Sequence, residues 1–196
     1  MLYVNSTNME MYFIAHVLPA ALNEKILAYK QMMQQRYECR VGLKSPAHIT
    51  LVAPFWEDAI KETMLIQDLD LICRQQYPFH INTYQFGAFK PRTIYIDVKP
   101  NDLLNALKKT VENFLANKNE YHIKAESRPF TPHITIATRD MSKSIFHEAW
   151  PYFADKRFEH QWEATSVSLL RHNKKNWDVI HTSQFSKSSE PVIQNP

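Results

Sequence analysis

The chain has 196 residues, of which 44% are hydrophobic and 12% aromatic, a composition that supports a sizeable core and argues against disorder. The net charge of +3 is compatible with a phosphate-bearing ligand without calling for nucleic acid. With 2 glycines, the sequence lacks the Gly-rich phosphate loops of dinucleotide-binding and P-loop proteins. The 2 cysteines have no C-x-x-C spacing, and no apolar run is long enough for a membrane span. We therefore expect a cytoplasmic protein without membrane segments.

The hydrophobic pattern predicts strands and helices that follow one another through short connections. The predicted elements, in chain order, are a strand over 11–18, a helix over 20–37, a strand that ends at Pro54, a helix over 57–76, strands over 79–89 and 93–98, a helix over 101–118, and strands over 130–138, 158–173 and 176–185. Each half of the chain contains a helix followed by a strand with the same short motif. This order predicts two similar lobes within one domain.

The repeated motif reads PAHITLV in the first half and TPHITIA in the second. Residues two apart on a strand share a face, so His48 and Thr50 point one way and the aliphatic residues between and after them point the other. The same reasoning applies to His133 and Thr135. If the two strands occupy related positions, two imidazoles and two hydroxyls line one cleft.

Such a set has evident chemistry, because one histidine can act as a general base near neutral pH while the other acts as a general acid. Threonine hydroxyls can donate hydrogen bonds to phosphate oxygens. A single His-x-Thr on a strand is most often structural, but two matched copies favour a catalytic pair. Neither copy has a second His, Cys, Asp or Glu at ligand spacing, so the sequence predicts no metal site.

The paired motifs resemble the signature of the 2H phosphoesterase superfamily, specifically its 2′-5′ RNA ligase-like and cyclic phosphodiesterase branch. The resemblance covers roughly residues 11–185. It implies an α+β fold: two pseudo-symmetric lobes of antiparallel sheet, helices on the outside, and a central cleft that receives one motif from each lobe. We accordingly expect residues 1–196 to form a single bilobal domain with a core over about 11–185 and a loose tail over 186–196.

The resemblance also implies an activity, the cleavage of 2′,3′-cyclic phosphates or 2′-5′ phosphodiesters of RNA or nucleotides without metal or cofactor. It makes His48 and His133 the acid–base pair and Thr50 and Thr135 the phosphate ligands. We favour His133 as the group that activates water, although the sequence leaves the two roles open. A protein that binds an RNA end or a nucleotide phosphate without cleaving it is the alternative. The expected partner is this substrate alone, with the chain as a monomer.

Four residues outside the motifs are candidate substrate contacts. Many relatives read H-x-T-x-x-R at the second motif, whereas Arg139 here lies one place later and faces away from the site if the strand continues. Arg92 and Arg171 are alternative phosphate contacts. Phe55, directly after the first motif, is the predicted stacking residue for a base. We expect His16, on the first strand, to be a hydrogen-bonded core histidine.

Overall fold

Strands and helices follow one another along residues 8–186, which a computed structural model describes. The strands are β1 Met9–Val17, β2 His48–Asp58, β3 Phe79–Phe89, β4 Thr93–Val98, β5 His133–Ala137, β6 Gln161–Ala164, β7 Ser166–His172 and β8 Trp177–Gln184. The α-helices are α1 Ala20–Tyr37, α2 Glu62–Cys73, α3 Asp102–Ala116 and α4 Lys143–Ala154, and short 3-10 helices span Val41–Lys44 and Ala59–Lys61. The tail that we expected to be loose lies, apart from Ser186, outside the described residues.

The strands form two four-stranded sheets with the orders β2-β1-β7-β8 and β5-β4-β3-β6. Neighbouring strands are antiparallel in both. Helix α2 packs against β7 and β8 of the first sheet, and α4 packs against β3 and β4 of the second. The predicted α+β fold with two antiparallel lobes is therefore confirmed. None of the helices among residues 8–186 is both long and apolar enough to cross a bilayer.

The strands that carry the two motifs, β2 and β5, each lie at the edge of their sheet and contact each other. The helices beside them are exchanged between the lobes. Helix α1 follows β1 of the first sheet but packs against β5, while α3 follows β4 of the second sheet but packs against β2. Each motif strand is thus held by a helix from the other half of the chain.

The motif strands have the predicted two faces. On β2, Ile49 and Leu51 are 0% and 2% exposed, whereas His48 and Thr50 are only half-buried. The second copy on β5 repeats this alternation. The buried aliphatic face determines which side of each strand faces the core, because a slip of one residue would bring the polar side chains into the core.

Two predicted boundaries around the first motif are wrong. Strand β2 does not end at Pro54 but continues to Asp58, and the helix predicted over 57–76 begins only at Glu62. The continuation is explained by pairing with the start of β1, in which Asp58 lies opposite Met9. Pro54 is tolerated because β2 is an edge strand and its ladder shifts register at this point.

Helix α4 was not predicted. Its N-terminus is capped by Ser142, whose hydroxyl accepts the backbone N–H of Ile145 at 3.2 Å, and its buried face includes Phe146 and Phe153. Pro151 lies inside the helix, and a proline there masks a helical pattern in the sequence.

The strand predicted over 158–173 is in fact two strands in different sheets. Strand β6 pairs with β3 of the second sheet, and β7 pairs with β1 and β8 of the first. The chain passes from one lobe to the other at Thr165. A continuous strand-forming composition gave no sign of this change.

Candidate active site

The two motif segments are joined by contacts outside the motifs themselves. The 3-10 helix ahead of β2 packs against β5. Beyond the second motif, the Asp140 carboxylate accepts the backbone N–H groups of Arg40 at 2.5 Å and Val41 at 2.9 Å. At Gly42, an added Cβ would lie 2.1 Å from the carbonyl oxygen of Ile136 on β5. The segment that precedes the first motif therefore packs directly against the second motif strand.

The cleft between the lobes contains two cavities that share Thr50. The first cavity, of about 550 Å³, is lined by His48, Thr50 and Thr135 among others. The second cavity, of about 370 Å³, is lined by Thr50 and His133. The structure thus brings all four predicted motif residues to one cleft, with Thr50 at the boundary between its two parts.

The first cavity has a positive lining. Its charged residues are Lys44 and Arg139, and the described residues that line it include no carboxylate. A concave surface with cations and polar hydroxyls attracts anions. The electrostatics of this cavity therefore suit a phosphate group.

Both motif histidines make the same hydrogen bond to a carbonyl two residues before them. The Nδ1–H of His48 donates to the carbonyl oxygen of Pro46 at 2.8 Å, and that of His133 donates to Thr131 at 2.7 Å. A carbonyl oxygen only accepts, so each neutral ring carries its proton on Nδ1. The Nε2 atom of each ring is then the one that can take up or deliver a proton.

Aromatic side chains hold each imidazole in place. The His48 ring lies 4.8 Å from the ring of Phe13, centroid to centroid. The His133 ring lies 4.9 Å from Phe89 and 5.2 Å from Tyr95. Such walls limit the orientations of the rings and reduce their access to water.

The surroundings make the two imidazoles unequal. Burial is the main cause that lowers the pKa of His48 to about 4; the bond to Pro46 acts in the opposite direction, and the nearby charges of Lys30 and His133 add to the lowering. Burial also lowers the pKa of His133, but there the bond to Thr131 and the negative charge of Asp97 act in the opposite direction. His133 therefore holds a proton more readily than His48 does.

Arg139 reaches the site despite its displaced position in the motif. Strand β5 ends at Ala137, and Arg139 adopts a left-handed backbone conformation with φ of 56°. Because the extra residue falls after the strand, the side chain is not turned to the far face, and Arg139 lines the first cavity.

Two of the predicted substrate contacts pack against other side chains of the protein. Arg171 donates from Nη1 to the Glu62 carboxylate at 2.7 Å, and it lies opposite the buried Tyr12. Phe55 is only 9% exposed and packs against Tyr12, with ring centroids 6.0 Å apart. Neither side chain lines the two cavities described above, and their roles toward a substrate stay predictions. Arg92 is exposed in the turn between β3 and β4, and its role stays a prediction.

The sequence did not reveal an aromatic row in the first cavity. The Trp177 ring lies 4.7 Å from Phe13 and 4.9 Å from His172, and all three line this cavity. They come from β1, β7 and β8, so the row depends on how these strands pair. The hairpin of β7 and β8 could be predicted, but the position of β1 beside it could not.

A long connection forms one wall of the second cavity. Residues 117–132 join α3 to β5, in contrast to the short connections that we expected. Buried carboxylates anchor the connection: Glu57 accepts the backbone N–H of His122 at 2.8 Å, and Asp68 accepts the hydroxyl of Tyr121 at 2.6 Å. Irregular backbone is stable in such a place only when its polar groups are paired in this way.

Within residues 8–186, no group of three or more His, Cys, Asp or Glu side chains is placed to hold a metal ion. The fold and the cleft define a two-lobed α+β protein whose edge strands present paired His-x-Thr motifs. Residues 19–176 match the family model described as the 2′-5′ RNA ligase superfamily. The chain therefore belongs to this superfamily of 2H phosphoesterases.

Relatives agree with this membership. A protein of Oceanobacillus iheyensis is 34% identical over 76% of this chain and 85% of its own length. Another, of Geobacillus kaustophilus, is 28% identical over 81% of this chain and 89% of its own length. Both names assign these proteins provisionally to the phosphoesterases.

Solved structures show the same fold. Escherichia coli LigT complexed with 3′-AMP has a TM-score of 0.67 at 19% identity, with 92% of this chain and 100% of that chain covered. The TT0787 protein of Thermus thermophilus has a TM-score of 0.64 at 16% identity, with 90% and 98% covered. The family and the names of the relatives together support a phosphoesterase, which is a hydrolase.

Proposed function

We propose that this chain is a metal-independent phosphoesterase that cleaves 2′,3′-cyclic phosphates or 2′-5′ phosphodiesters of RNA or nucleotides. The observation that carries the proposal is the placement of His48 and His133 in two adjoining cavities that share Thr50, the first of which has a positive lining. Both rings donate the Nδ1 proton to a backbone carbonyl oxygen, which leaves both Nε2 atoms for proton transfer. A pure phosphate-binding site would need no such pair of titratable groups.

In this proposal the Thr50 and Thr135 hydroxyls donate hydrogen bonds to the non-bridging oxygens of the phosphate. Thr50 suits this role because it borders both cavities. Arg139 and Lys44 supply positive charge on the side of the first cavity. Together these groups stabilise the charge that grows on the phosphate oxygens in the transition state.

The electrostatics favour roles opposite to those that we favoured from the sequence. His48, whose pKa is lowered by burial to about 4, is neutral and takes a proton from the attacking water. His133, beside Asp97, donates a proton to the departing ribose oxygen. With a 2′,3′-cyclic phosphate, the bond from water to phosphorus forms, the bond to the 3′ oxygen breaks, and the product is a 2′-phosphate.

Known ligands of a structural neighbour support a nucleotide as the substrate. E. coli LigT has crystal structures in complex with 3′-AMP, NADP+ and ATP. All three carry a phosphate on a ribose. We propose the same class of ligand here, with the phosphate at the boundary of the two cavities.

One hydrolysis experiment tests the proposal. The four nucleoside 2′,3′-cyclic phosphates and a 2′-5′ dinucleotide are incubated in EDTA with wild type, His48→Ala and His133→Ala. We expect turnover that resists the chelator and falls about 100-fold or more in each variant. His80→Ala, which removes an exposed histidine on β3, is the control and retains turnover. Phosphate binding without turnover on any substrate would favour the non-catalytic binding protein instead.

We further propose that the enzyme acts as a monomer in the cytoplasm. The residues to which we give catalytic roles all come from one chain. Cys39 and Cys73 are buried and unpaired, as is usual in a reducing compartment.

A further inference from the structure

We propose that Lys30 and Asp97 are positioning residues that make the two matched histidines unequal, so that His48 acts as the base and His133 as the acid. The inference rests on the proposed function, because it assigns roles within that reaction. It concerns two residues that lie outside both motifs and that no pattern in the sequence marked.

The motifs themselves give no reason for the two histidines to differ. Both lie at the start of an edge strand, and both make the same bond from Nδ1–H to a carbonyl two residues earlier. Both rings also pack against aromatic side chains. An enzyme that needs one base and one acid must therefore obtain the difference from the surrounding residues.

Lys30 supplies positive charge on the side of His48. It lies on α1, is 3% exposed, and donates from Nζ to the carbonyl oxygen of Ser45 at 3.0 Å, three residues before His48. Among the described residues no carboxylate forms an ion pair with it. Burial lowers its pKa to about 8, so it stays largely charged at neutral pH. A charge in a buried position acts over a longer range than one in water.

Asp97 supplies negative charge on the side of His133. The two residues are directly opposite each other on the antiparallel strands β4 and β5, so their side chains share a face. The hydroxyl of Tyr84 donates to the Asp97 carboxylate at 2.8 Å and fixes its position. Protonated His133 is thereby stabilised relative to protonated His48.

Other charged groups near the two rings do not reproduce this difference. Near His48, Lys44 and Arg139 are exposed, so solvent and salt screen their charges. His172, which lines the same cavity, is the remaining titratable group there. Near His133, the charged lining residues form the ion pairs Lys108–Glu112 at 2.5 Å and Arg128–Glu126 at 2.7 Å. Lys30 and Asp97 are thus the charges that distinguish the two sites.

The reason for such a device lies in the charge of the substrate. A phosphate anion that binds between two imidazoles favours the protonated form of both. With both rings protonated, no base is left to activate water. Lys30 opposes protonation at His48, and Asp97 favours it at His133. Binding of the anion therefore leads to proton uptake by the acid, His133, alone.

The test compares Lys30→Met, which removes the charge at similar volume, with Lys30→Arg, which keeps it, and with Asp97→Asn. Proton uptake at each imidazole is followed by ¹⁵N NMR of the substrate-free protein. We expect the midpoint of His48 to rise by up to about one pH unit in Lys30→Met and that of His133 to fall in Asp97→Asn. Lys30→Arg leaves both midpoints near their wild-type positions.

Kinetics on a 2′,3′-cyclic nucleotide give the second measurement. We expect the acidic limb of the kcat/KM profile to move up in Lys30→Met and the alkaline limb to move down in Asp97→Asn. An acidic limb that stays at its wild-type position in Lys30→Met would overturn the inference, because the charge of Lys30 would then not act on the base.

The failure of this inference is distinguishable from that of the proposed function. Unchanged midpoints in both variants overturn the inference even if the protein turns over cyclic phosphates. If the midpoints shift in the two variants but the wild-type protein shows no turnover, the proposed function is overturned instead.

Discussion

At the scale of single residues, Gly42 lies where the segment ahead of the first motif meets the second motif strand. A Cβ at this position would be 2.1 Å from the backbone oxygen of Ile136. Backbone that is paired in a sheet cannot move aside as a side chain can. Glycine is therefore needed here for close approach, and the close approach keeps the two motifs together.

We predict that Gly42→Ala destabilises the fold by about 1–3 kcal/mol, because it forces the two segments apart. Turnover falls as well, since the separation displaces His48 from His133. Gly87→Ala is the matched control for stability alone: its Cβ would meet the ring of Tyr95 at 2.5 Å, and a ring can turn away, but this ring also packs against His133. Urea unfolding and hydrolysis assays measure both effects. A Gly42→Ala protein with wild-type stability and activity would show that the approach is not needed.

At the scale of elements, the connection over 117–132 depends on buried carboxylates contributed by neighbouring elements. Asp68 on α2 accepts Nζ of Lys118 at 2.6 and 2.8 Å and the hydroxyl of Tyr121 at 2.6 Å. Asp68 is itself only 6% exposed. The wall of the second cavity is therefore positioned by α2, an element that contributes nothing to the motifs.

We predict that Asp68→Asn loosens this connection and costs about 1–3 kcal/mol of stability, because it leaves polar groups poorly paired. Hydrogen exchange over 117–132 becomes faster, and KM rises more than kcat falls, since the variant touches no proposed catalytic group. Tyr121→Phe removes a single bond and gives a smaller effect of the same sign. Unchanged exchange in Asp68→Asn would mean that the connection is held elsewhere.

At the scale of the whole molecule, the two lobes are tied together by more than the motif strands. His16 on β1 is 2% exposed, donates from Nδ1 to the carbonyl of Ser166 and accepts the indole N–H of Trp162 on β6, both at 2.9 Å. The bond from Trp162 links the first sheet to the second. With α1 and α3 exchanged between the lobes, we propose that the chain folds as one domain.

This link predicts that stability falls in mild acid. Burial lowers the pKa of His16 below its unfolded value of about 6.5. Below that pH the unfolded chain binds a proton that the native state does not, so stability is present above about pH 6.5 and is lost as the pH falls. His48 and His133 contribute with the same sign. We expect Tm to drop between pH 7.5 and pH 5, and His16→Gln to reduce that drop. Equal slopes in the two proteins would contradict the role of His16.

The sequence predicted those features that depend on local pattern. Alternation assigned the faces of both motif strands, and the doubled His-x-Thr located the four residues that meet at the cleft. His16 was correctly expected to be a satisfied core histidine.

The features that the sequence could not predict depend on tertiary pairing. Strand β2 extends past Pro54 because β1 is present to pair with it. Arg171 forms an ion pair with Glu62 of α2. The aromatic row around Trp177 requires the register of three strands. Lys30 reads as an ordinary helix residue until the packing of α1 buries it.

The measurement that tests the central claim most directly compares two substrates in His48→Ala and His133→Ala. One is a 2′,3′-cyclic nucleotide, whose alkoxide leaving group needs an acid. The other is a p-nitrophenyl phosphodiester of a nucleoside, whose leaving group does not, and which wild type must turn over. We predict that both variants lose the first activity, while His133→Ala retains the second and His48→Ala does not. Equal losses on both substrates in the two variants would contradict a division of base and acid between these histidines.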